Sequence, residues 1–259
     1  MRLGIIADIH GNEVALRAIL QDADRLEVDR WWALGDLVLF GPRPAEALEL
    51  LQDLPGLGML RGNTDRYVLT GEQPAPHATA AAAAASVGLV ERYAAMAAGI
   101  GWTRGVLDEA DLLSALTDLP GQLRLQLPGG ATVLGVHASP QADDGPGIEP
   151  CIADEYLRPL LAGCGADVVV GGHTHVATDR LVDSIRALNS PTFTLRTWGI
   201  GSPRPARRHR APLVRVIDAR HAVVCRWIFT CSCGSGSAEM CLSGLTPGPV
   251  IGNAGRDGK

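Results

Sequence analysis

The feature that most constrains this chain is a repeated step in which a short apolar run stops abruptly at a cluster of Asp, His, Asn and Gly. Arg2–Ala7 runs into Asp8-Ile9-His10-Gly11-Asn12, Trp31–Leu34 into Gly35-Asp36, and Leu57–Leu60 into Arg61-Gly62-Asn63-Thr64-Asp65. Between these runs, Leu16, Ile19, Leu20 and Ala23 fall at i, i+3, i+4, i+7, as do Ala47, Leu50, Leu51 and Leu54. That spacing is the apolar stripe of an amphipathic helix, and Pro44 stands where the second helix would begin. Strands alternating with helices predict an α/β fold. In open α/β sheets the ligand site lies beyond the C-terminal ends of the strands, which is where each cluster falls.

The middle of the chain breaks this rhythm. Ala78–Ala98 holds eleven alanines in 21 residues and predicts one long helix, weakened at Gly88 and stopped at Gly99. A second helical stretch is expected over Glu109–Leu116. Leu123–Leu127, the turn Pro128-Gly129-Gly130 and Ala131–Val136 predict a β-hairpin ending at His137. Ile152–Leu161 reads as a helix, and Asp167–Val170 as a buried strand that ends at Gly171-Gly172-His173-Thr174-His175. Beyond Asn189 only Leu213–Ile217 and Ala222–Phe229 look like strands. Residues 1–230 are read as one domain. Residues 231–259, with seven glycines from Ser232 onward, are expected to be a disordered tail.

Composition narrows the function. Lys and Arg number 23 against 28 Asp and Glu, a formal charge of −5, and the pI near 5.8 lacks the basic footprint of a dedicated nucleic-acid binder. No apolar run approaches the roughly 18 residues of a membrane span, and the N-terminal apolar stretch is too short for a signal peptide. The expected location is therefore the cytoplasm. Six cysteines are too few for a disulfide scaffold in a chain this long. Cys225, Cys231, Cys233 and Cys241 are spaced C-x5-C-x-C-x7-C, without the paired C-x2-C steps of common zinc sites.

The clusters supply Asp8, His10, Asp36, Asn63, His137, His173 and His175: carboxylates, imidazoles and an amide, with no thiolate. Such a mixture suits Mn, Fe, Ni, Co or Zn rather than a closed structural zinc site. Taken singly each residue has a duller reading. His10 or His137 alone would be a satisfied structural histidine, Gly35-Asp36 a turn, and Asn63 a helix cap. His77, His209 and His221 are read as surface or structural residues.

Taken together, D-x-H (Asp8, His10), G-D (Asp36), G-N (Asn63), an isolated His (His137) and G-H-x-H (His173, His175) resemble the motif series of the calcineurin-like metallophosphoesterases, small prokaryotic phosphodiesterase branch. All five blocks occur in order and span Met1 to about Val182. The resemblance implies a four-layer α/β sandwich, two mixed β-sheets face to face with helices outside and a helical insertion. It implies two divalent metal ions, manganese first, with iron, zinc, nickel or cobalt as alternatives. Asp8, His10 and His175 would hold one metal and Asn63, His137 and His173 the second, with Asp36 bridging them. A hydroxide between the metals would attack a small phosphoester. Asp36, Asn63 and His137, assisted by Arg204, are taken as the catalytic positions.

Two departures from the family pattern stand out. Many members carry a histidine after the G-N pair, read as protonating the leaving group; here that position is Thr64. Losing a general acid costs about 10²–10⁴-fold, so activated phosphodiesters are the expected substrates, and Asp65 is read as orienting the site rather than as a replacement acid. After Asn189, the compact N-P-G-S segment of related chains is split: Asn189-Ser190-Pro191 precedes Gly201-Ser202-Pro203-Arg204, and a basic run with Arg207, Arg208, Arg210 and Arg215 follows. Arg204 is read as a phosphate contact, against a plain solvated loop. Residues 73–117 are read either as a helical cap over the metals, with Tyr93 and Trp102 lining it, or as a cover on one sheet face. The rival functions are a phosphomonoesterase or phosphoprotein phosphatase, a dinucleoside polyphosphate hydrolase, a non-catalytic metal-binding scaffold, and a nucleic-acid processing subunit using the basic run. The sequence leaves the oligomeric state open.

Overall fold

A computed structural model of the chain describes residues 1–74, 79, 81, 84 and 86–191, together with the strands Arg215–Asp218, Arg226–Ile228 and Glu239–Met240. The N-terminal rhythm folds as strand, helix, strand, helix, strand: β1 (Arg2–Ile6), α1 (Glu13–Ala23), β2 (Arg30–Leu34), α2 (Pro44–Gln52) and β3 (Gly58–Leu60). These three strands pair in parallel. On the other side of β1, strands β9 (Arg215–Asp218), β10 (Arg226–Ile228) and β11 (Glu239–Met240) add on antiparallel, giving the order β11-β10-β9-β1-β2-β3. The second sheet has the order β4-β5-β6-β8-β7, from β4 (Gln122–Gln126), β5 (Thr132–Val136), β6 (Val168–Gly171), β7 (Thr178–Val182) and β8 (Ile185–Asn189). Its centre β5-β6-β8 is parallel and its edges antiparallel. Both sheets are therefore mixed.

The two-residue period of a strand sorts each sheet's side chains onto two faces. Leu3, Ile5, Trp32, Leu34 and Leu60 of the first sheet meet Val133, Val168, Val170 and Leu188 of the second in a dry core between the sheets. The alternate residues Ile6, Trp31 and Ala33 face outward onto Leu16, Ile19, Leu48 and Leu51 of α1 and α2. On the far side, Leu134, Val136, Val169 and Ala187 pack on Leu157 and Leu161 of α5 (Asp154–Leu161). Helix, sheet, sheet, helix gives the four-layer sandwich.

Four stretches differ from the sequence reading. Helix α3 (Asn63–Thr70) begins directly at the Gly62-Asn63 cluster. Its opening residues are polar because they serve the site, so no apolar stripe announced it. Helix α4 runs Val87–Glu109, with Ser86 in extended backbone before it, and it passes through Gly99 rather than stopping there. Each interior glycine costs about 1 kcal/mol; burial of Ile100, Thr103 and Leu107 where α4 packs on α2 and α3 offsets that. The stretch expected as a helix over Glu109–Leu116 is a turn at Asp111, with φ 58°, followed by a single 3₁₀ turn at Leu113–Leu116. The β7–β8 hairpin went unseen because Thr178-Asp179-Arg180-Leu181-Val182 is charged at two of its five positions and its turn, Asp183-Ser184, lacks glycine. His77, Arg204, Arg207, Arg208, His209, Arg210, His221, Cys225, Cys231, Cys233 and Cys241 lie outside the described residues.

Candidate metal centre

The edges of the two sheets bring all seven sequence-selected residues to one place. Past β1 and β2 the backbone zips up beyond the strands: the N–H groups of Asp8, His10 and Gly11 donate to the carbonyls of Gly35, Asp36 and Leu37 at 3.1, 2.8 and 2.8 Å. Asn63 follows β3, His137 follows β5, and His173 and His175 follow β6. Asp8, His10, Asp36, His173 and His175 all sit at positive φ, between 51° and 68°. Left-handed backbone costs a non-glycine residue roughly 1–2 kcal/mol, and such strain concentrates where geometry serves function.

Three of the four imidazoles are oriented by a backbone carbonyl, which can only accept. His10 Nδ1 donates to Leu39 O at 3.0 Å and His137 Nδ1 to Leu34 O at 2.7 Å. Both therefore turn Nε2 toward the centre, bare whenever the ring is neutral. His173 is turned the other way: its Nε2 donates to Gly145 O at 2.9 Å, leaving Nδ1 bare. Asp8 is held by the His173 amide, which reaches its Oδ1 and Oδ2 at 2.9 and 3.1 Å. Asp36 Oδ1 accepts from the Thr64 amide at 3.0 Å.

The bare atoms converge in two groups. In one, His10 Nε2 lies 3.2 Å from His175 Nε2 and 3.6 Å from Asp36 Oδ2, and His175 Nε2 lies 3.4 Å from Asp8 Oδ1. One ligand atom from each of Asp8, His10, Asp36 and His175 falls within 4.8 Å of the others. In the other, Asn63 Oδ1 lies 3.0 Å from His137 Nε2 and 3.1 Å from His173 Nδ1, while Asp36 Oδ1 lies 3.2 Å from His137 Nε2. Lone pairs facing one another at these distances repel, so a cation fits between them; a proton is the weaker substitute. The donors fit a borderline divalent metal such as Mn, Fe, Co, Ni or Zn.

The electrostatics tell the same story. Burial works against charge on His137, but Asp36 outweighs it and raises its pKa to about 10. Burial likewise opposes charge on Asp36, yet His137 and His10 hold it well below the usual carboxylate range. For His10 burial wins over Asp36 and Asp8, and its pKa falls. Asp65, buried and beside Asp36, is pushed up to about 7. Its two oxygens accept the Leu37 and Gly62 amides, both at 2.9 Å, so it fixes the Asp36 loop against α3. Asn63 is bonded to Tyr67.

Sequence reading missed the carbonyls of Leu34, Leu39 and Gly145, since backbone groups leave no mark on side-chain identity. It also missed Phe40, whose ring sits 5.3 Å from the His10 ring at φ 87°. Tyr93 and Trp102 lie on α4, with Trp102 half exposed. No helix among the described residues is long and apolar enough to cross a membrane.

A two-sheet sandwich with an Asp/His cluster at its strand ends is the frame of a metal centre, and the chain belongs to the calcineurin-like phosphoesterase family, whose profile matches residues 1–177. It is 29% identical over 174 residues to the uncharacterized protein MJ0912 of Methanocaldococcus jannaschii, covering 67% of this chain and 62% of that one. The chain thus spans less than two thirds of that relative's length. Among solved structures it is similar to the hypothetical protein PH1004 of Pyrococcus horikoshii, with TM-score 0.66, 22% identity and coverage of 86% and 85% of the two chains. It is also similar to a metallophosphoesterase from Sphaerobacter thermophilus, with TM-score 0.56, 25% identity and coverage of 86% and 84%. The family uses divalent metals and is one of hydrolases.

Proposed function

We propose that the protein is a binuclear metal-dependent phosphodiesterase acting on small, activated phosphodiesters. The observation that supports this most directly is the pairing of two lone-pair clusters through one carboxylate, Asp36 Oδ2 facing one and Oδ1 the other. On this reading Asp8, His10 and His175 hold one ion, and Asn63, His137 and His173 the other. Two bound divalent cations, manganese first, supply Lewis acidity toward the phosphoryl oxygens and a water activated near neutral pH.

The chain's own residues set the rest. Four neutral imidazoles and only two carboxylates leave the loaded centre positive, which attracts an anionic diester. The carbonyls of Leu34, Leu39 and Gly145 accept from the other ring nitrogen and so aim His137 Nε2, His10 Nε2 and His173 Nδ1 at the ions. Thr64 occupies the position after Gly62-Asn63; its hydroxyl is buried without a partner among the described residues and is too weak an acid to protonate a poor leaving group at neutral pH. Aryl diesters, which leave without that help, are therefore favoured over alkyl monoesters. Arg204 is assigned a phosphate contact from the chain segment after β8, and the protein a cytoplasmic setting.

The test is hydrolysis of bis(p-nitrophenyl) phosphate and of p-nitrophenyl phosphate by chelator-treated protein, before and after adding Mn²⁺, with Asp36→Asn alongside. Diester turnover that returns with metal and vanishes in the variant supports the reading. A preference for the monoester replaces it with a phosphomonoesterase. Uptake of two metals without turnover of either points to a scaffold.

A further inference from the structure

The His173 side chain is turned by a carbonyl of the 140–148 loop, and an arginine grips that loop. Residues 140–148 cross directly over the His173-Thr174 turn. Gly145, at φ 99°, turns its carbonyl onto His173 Nε2. Gly147, at φ 64°, lies so close that an added Cβ would meet Thr174 Cγ2 at 2.6 Å and His173 Cδ2 at 3.3 Å. Just before these glycines stand Asp143 and Asp144. Arg66 takes Asp143 in a two-pronged grip, Nε to Oδ2 at 2.9 Å and Nη2 to Oδ1 at 3.0 Å, and reaches Asp144 Oδ2 at 3.0 Å. Glu72 completes the cluster through Nη1.

Arg66 belongs to α3, one turn after Asn63, and its guanidinium lies 5.0 Å from the ring centroid of Tyr67, the residue bonded to Asn63. The clamp thus joins the helix that carries Asn63 to the loop that turns His173. These two residues meet at 3.1 Å from positions 110 apart in the chain. We infer that Arg66 is a positioning residue for the second half-site: by gripping Asp143 and Asp144 it holds the Gly145 carbonyl on His173 Nε2, so that Nδ1 is the nitrogen presented opposite Asn63. This rests on the assignment of Asn63, His137 and His173 to one ion in the proposed function. A planar fork is required, because a lysine at 66 supplies charge at one point and cannot fix the loop's orientation.

Two measurements test it on the full-length protein. The first needs no metal: long-range ¹H–¹⁵N spectra of histidine side chains report which nitrogen carries the proton. Wild-type protein is expected to show His173 as the Nε2–H form. In Arg66→Ala and Arg66→Lys, His173 should become a mixture of tautomers, while His10 remains the Nδ1–H form. The second is calorimetric titration with Mn²⁺. The variants should lose about 10–100-fold in affinity at one site, the usual effect of removing a partner behind a ligand, with the other site unchanged. Asp143→Asn, which keeps the loop's size, should move both readouts the same way and stands in if Arg66→Ala fails to fold. Retention of the Nε2–H tautomer in the variants, or equal weakening of both sites, overturns the inference. Absence of Mn²⁺ binding by the wild-type protein would instead remove the proposed function, since the tautomer is read without metal.

Discussion

Gly62→Ala is the smallest change that should dismantle the centre, and the structure gives its size. Gly62 has φ −90° and ψ 173°, extended backbone open to any residue, so conformation does not require glycine there. Space does. A Cβ at Gly62 would stand 2.2 Å from Asp36 Oδ1 and 2.3 Å from the Asp36 backbone nitrogen, where ordinary contact begins near 3.4 Å. Asp36 must therefore retreat by about 1 Å. It cannot retreat alone, because its carbonyl accepts the His10 amide and Gly35 holds Asp8. Metal ligation tolerates about 0.2 Å, and a misplacement of about 1 Å at a reacting centre costs on the order of 100-fold. Since Asp36 faces both lone-pair clusters, both metals should weaken and Mn²⁺-dependent diester hydrolysis should fall by roughly that factor. The overpacking itself costs about 1–3 kcal/mol, so far-ultraviolet circular dichroism should still show a folded protein. Gly121→Ala, where an added Cβ meets nothing within 4 Å, is the control and should behave as wild type. A Gly62→Ala protein that binds two metals and turns over like wild type would refute the assignment of Asp36 as the shared ligand.

Three further outcomes follow from the same geometry. With its pKa raised to about 10, His137 carries a proton at neutral pH in the metal-free protein, so a metal must displace it. The apparent affinity of the second site should rise about tenfold per pH unit across neutrality, and calorimetry in buffers of different ionisation enthalpy should detect the released proton; a pH-independent affinity would contradict this. The sign for folding is the opposite: the metal-free protein gains the His137–Asp36 stabilisation fully below the ordinary histidine value of 6.5 and loses it as pH rises through about 10. Asp65→Ala orphans the buried Leu37 and Gly62 amides; at about 1–3 kcal/mol each the melting temperature should drop by roughly 4 °C or more, and no drop would mean that water replaces the carboxylate. Leu107→Ala removes a fully buried anchor of α4 and should cost about 2–5 kcal/mol. If α4 only covers the helical face of the first sheet, the folded variant should keep wild-type kcat/KM for small and bulky diesters alike; a gain confined to bulky diesters would show that it caps the centre.

What the sequence made legible is what side chains decide. Apolar runs such as Arg2–Ala7 mark β1 because buried strands are apolar whatever they pair with, and the stripe Leu16, Ile19, Leu20, Ala23 marks α1 because its face must meet a sheet. Where an element's residues answer to the site instead, the pattern fades. Helix α3 opens Asn63-Thr64-Asp65-Arg66 because those positions face Asp36, the Leu37 amide and the Asp143 loop, and β7 carries Asp179 and Arg180 because it lies at a sheet edge. The Gly99 stop failed for a related reason: tertiary burial of Ile100 and Leu107 overrode a local preference.

The centre divides along the same line. Its seven candidate residues could be picked out because Asp, His and Asn at strand ends carry chemistry in their side chains. Their orientation could not. In G-H-x-H nothing in the letters says that His173 presents Nδ1 while His10 and His137 present Nε2; that is decided by the carbonyls of Gly145, Leu39 and Leu34. A carbonyl is available at every residue, so its identity as a partner depends only on where the backbone passes. Leu34 and Leu39 contribute apolar side chains to the two cores and carbonyls to the centre at the same time. Substituting their side chains while keeping the backbone path therefore leaves His10 and His137 correctly turned. Gly145 has no side chain to bury: its carbonyl is placed by what grips the loop on either side, Arg66 on Asp143 and Asp144 before it and the buried Ile148 after it.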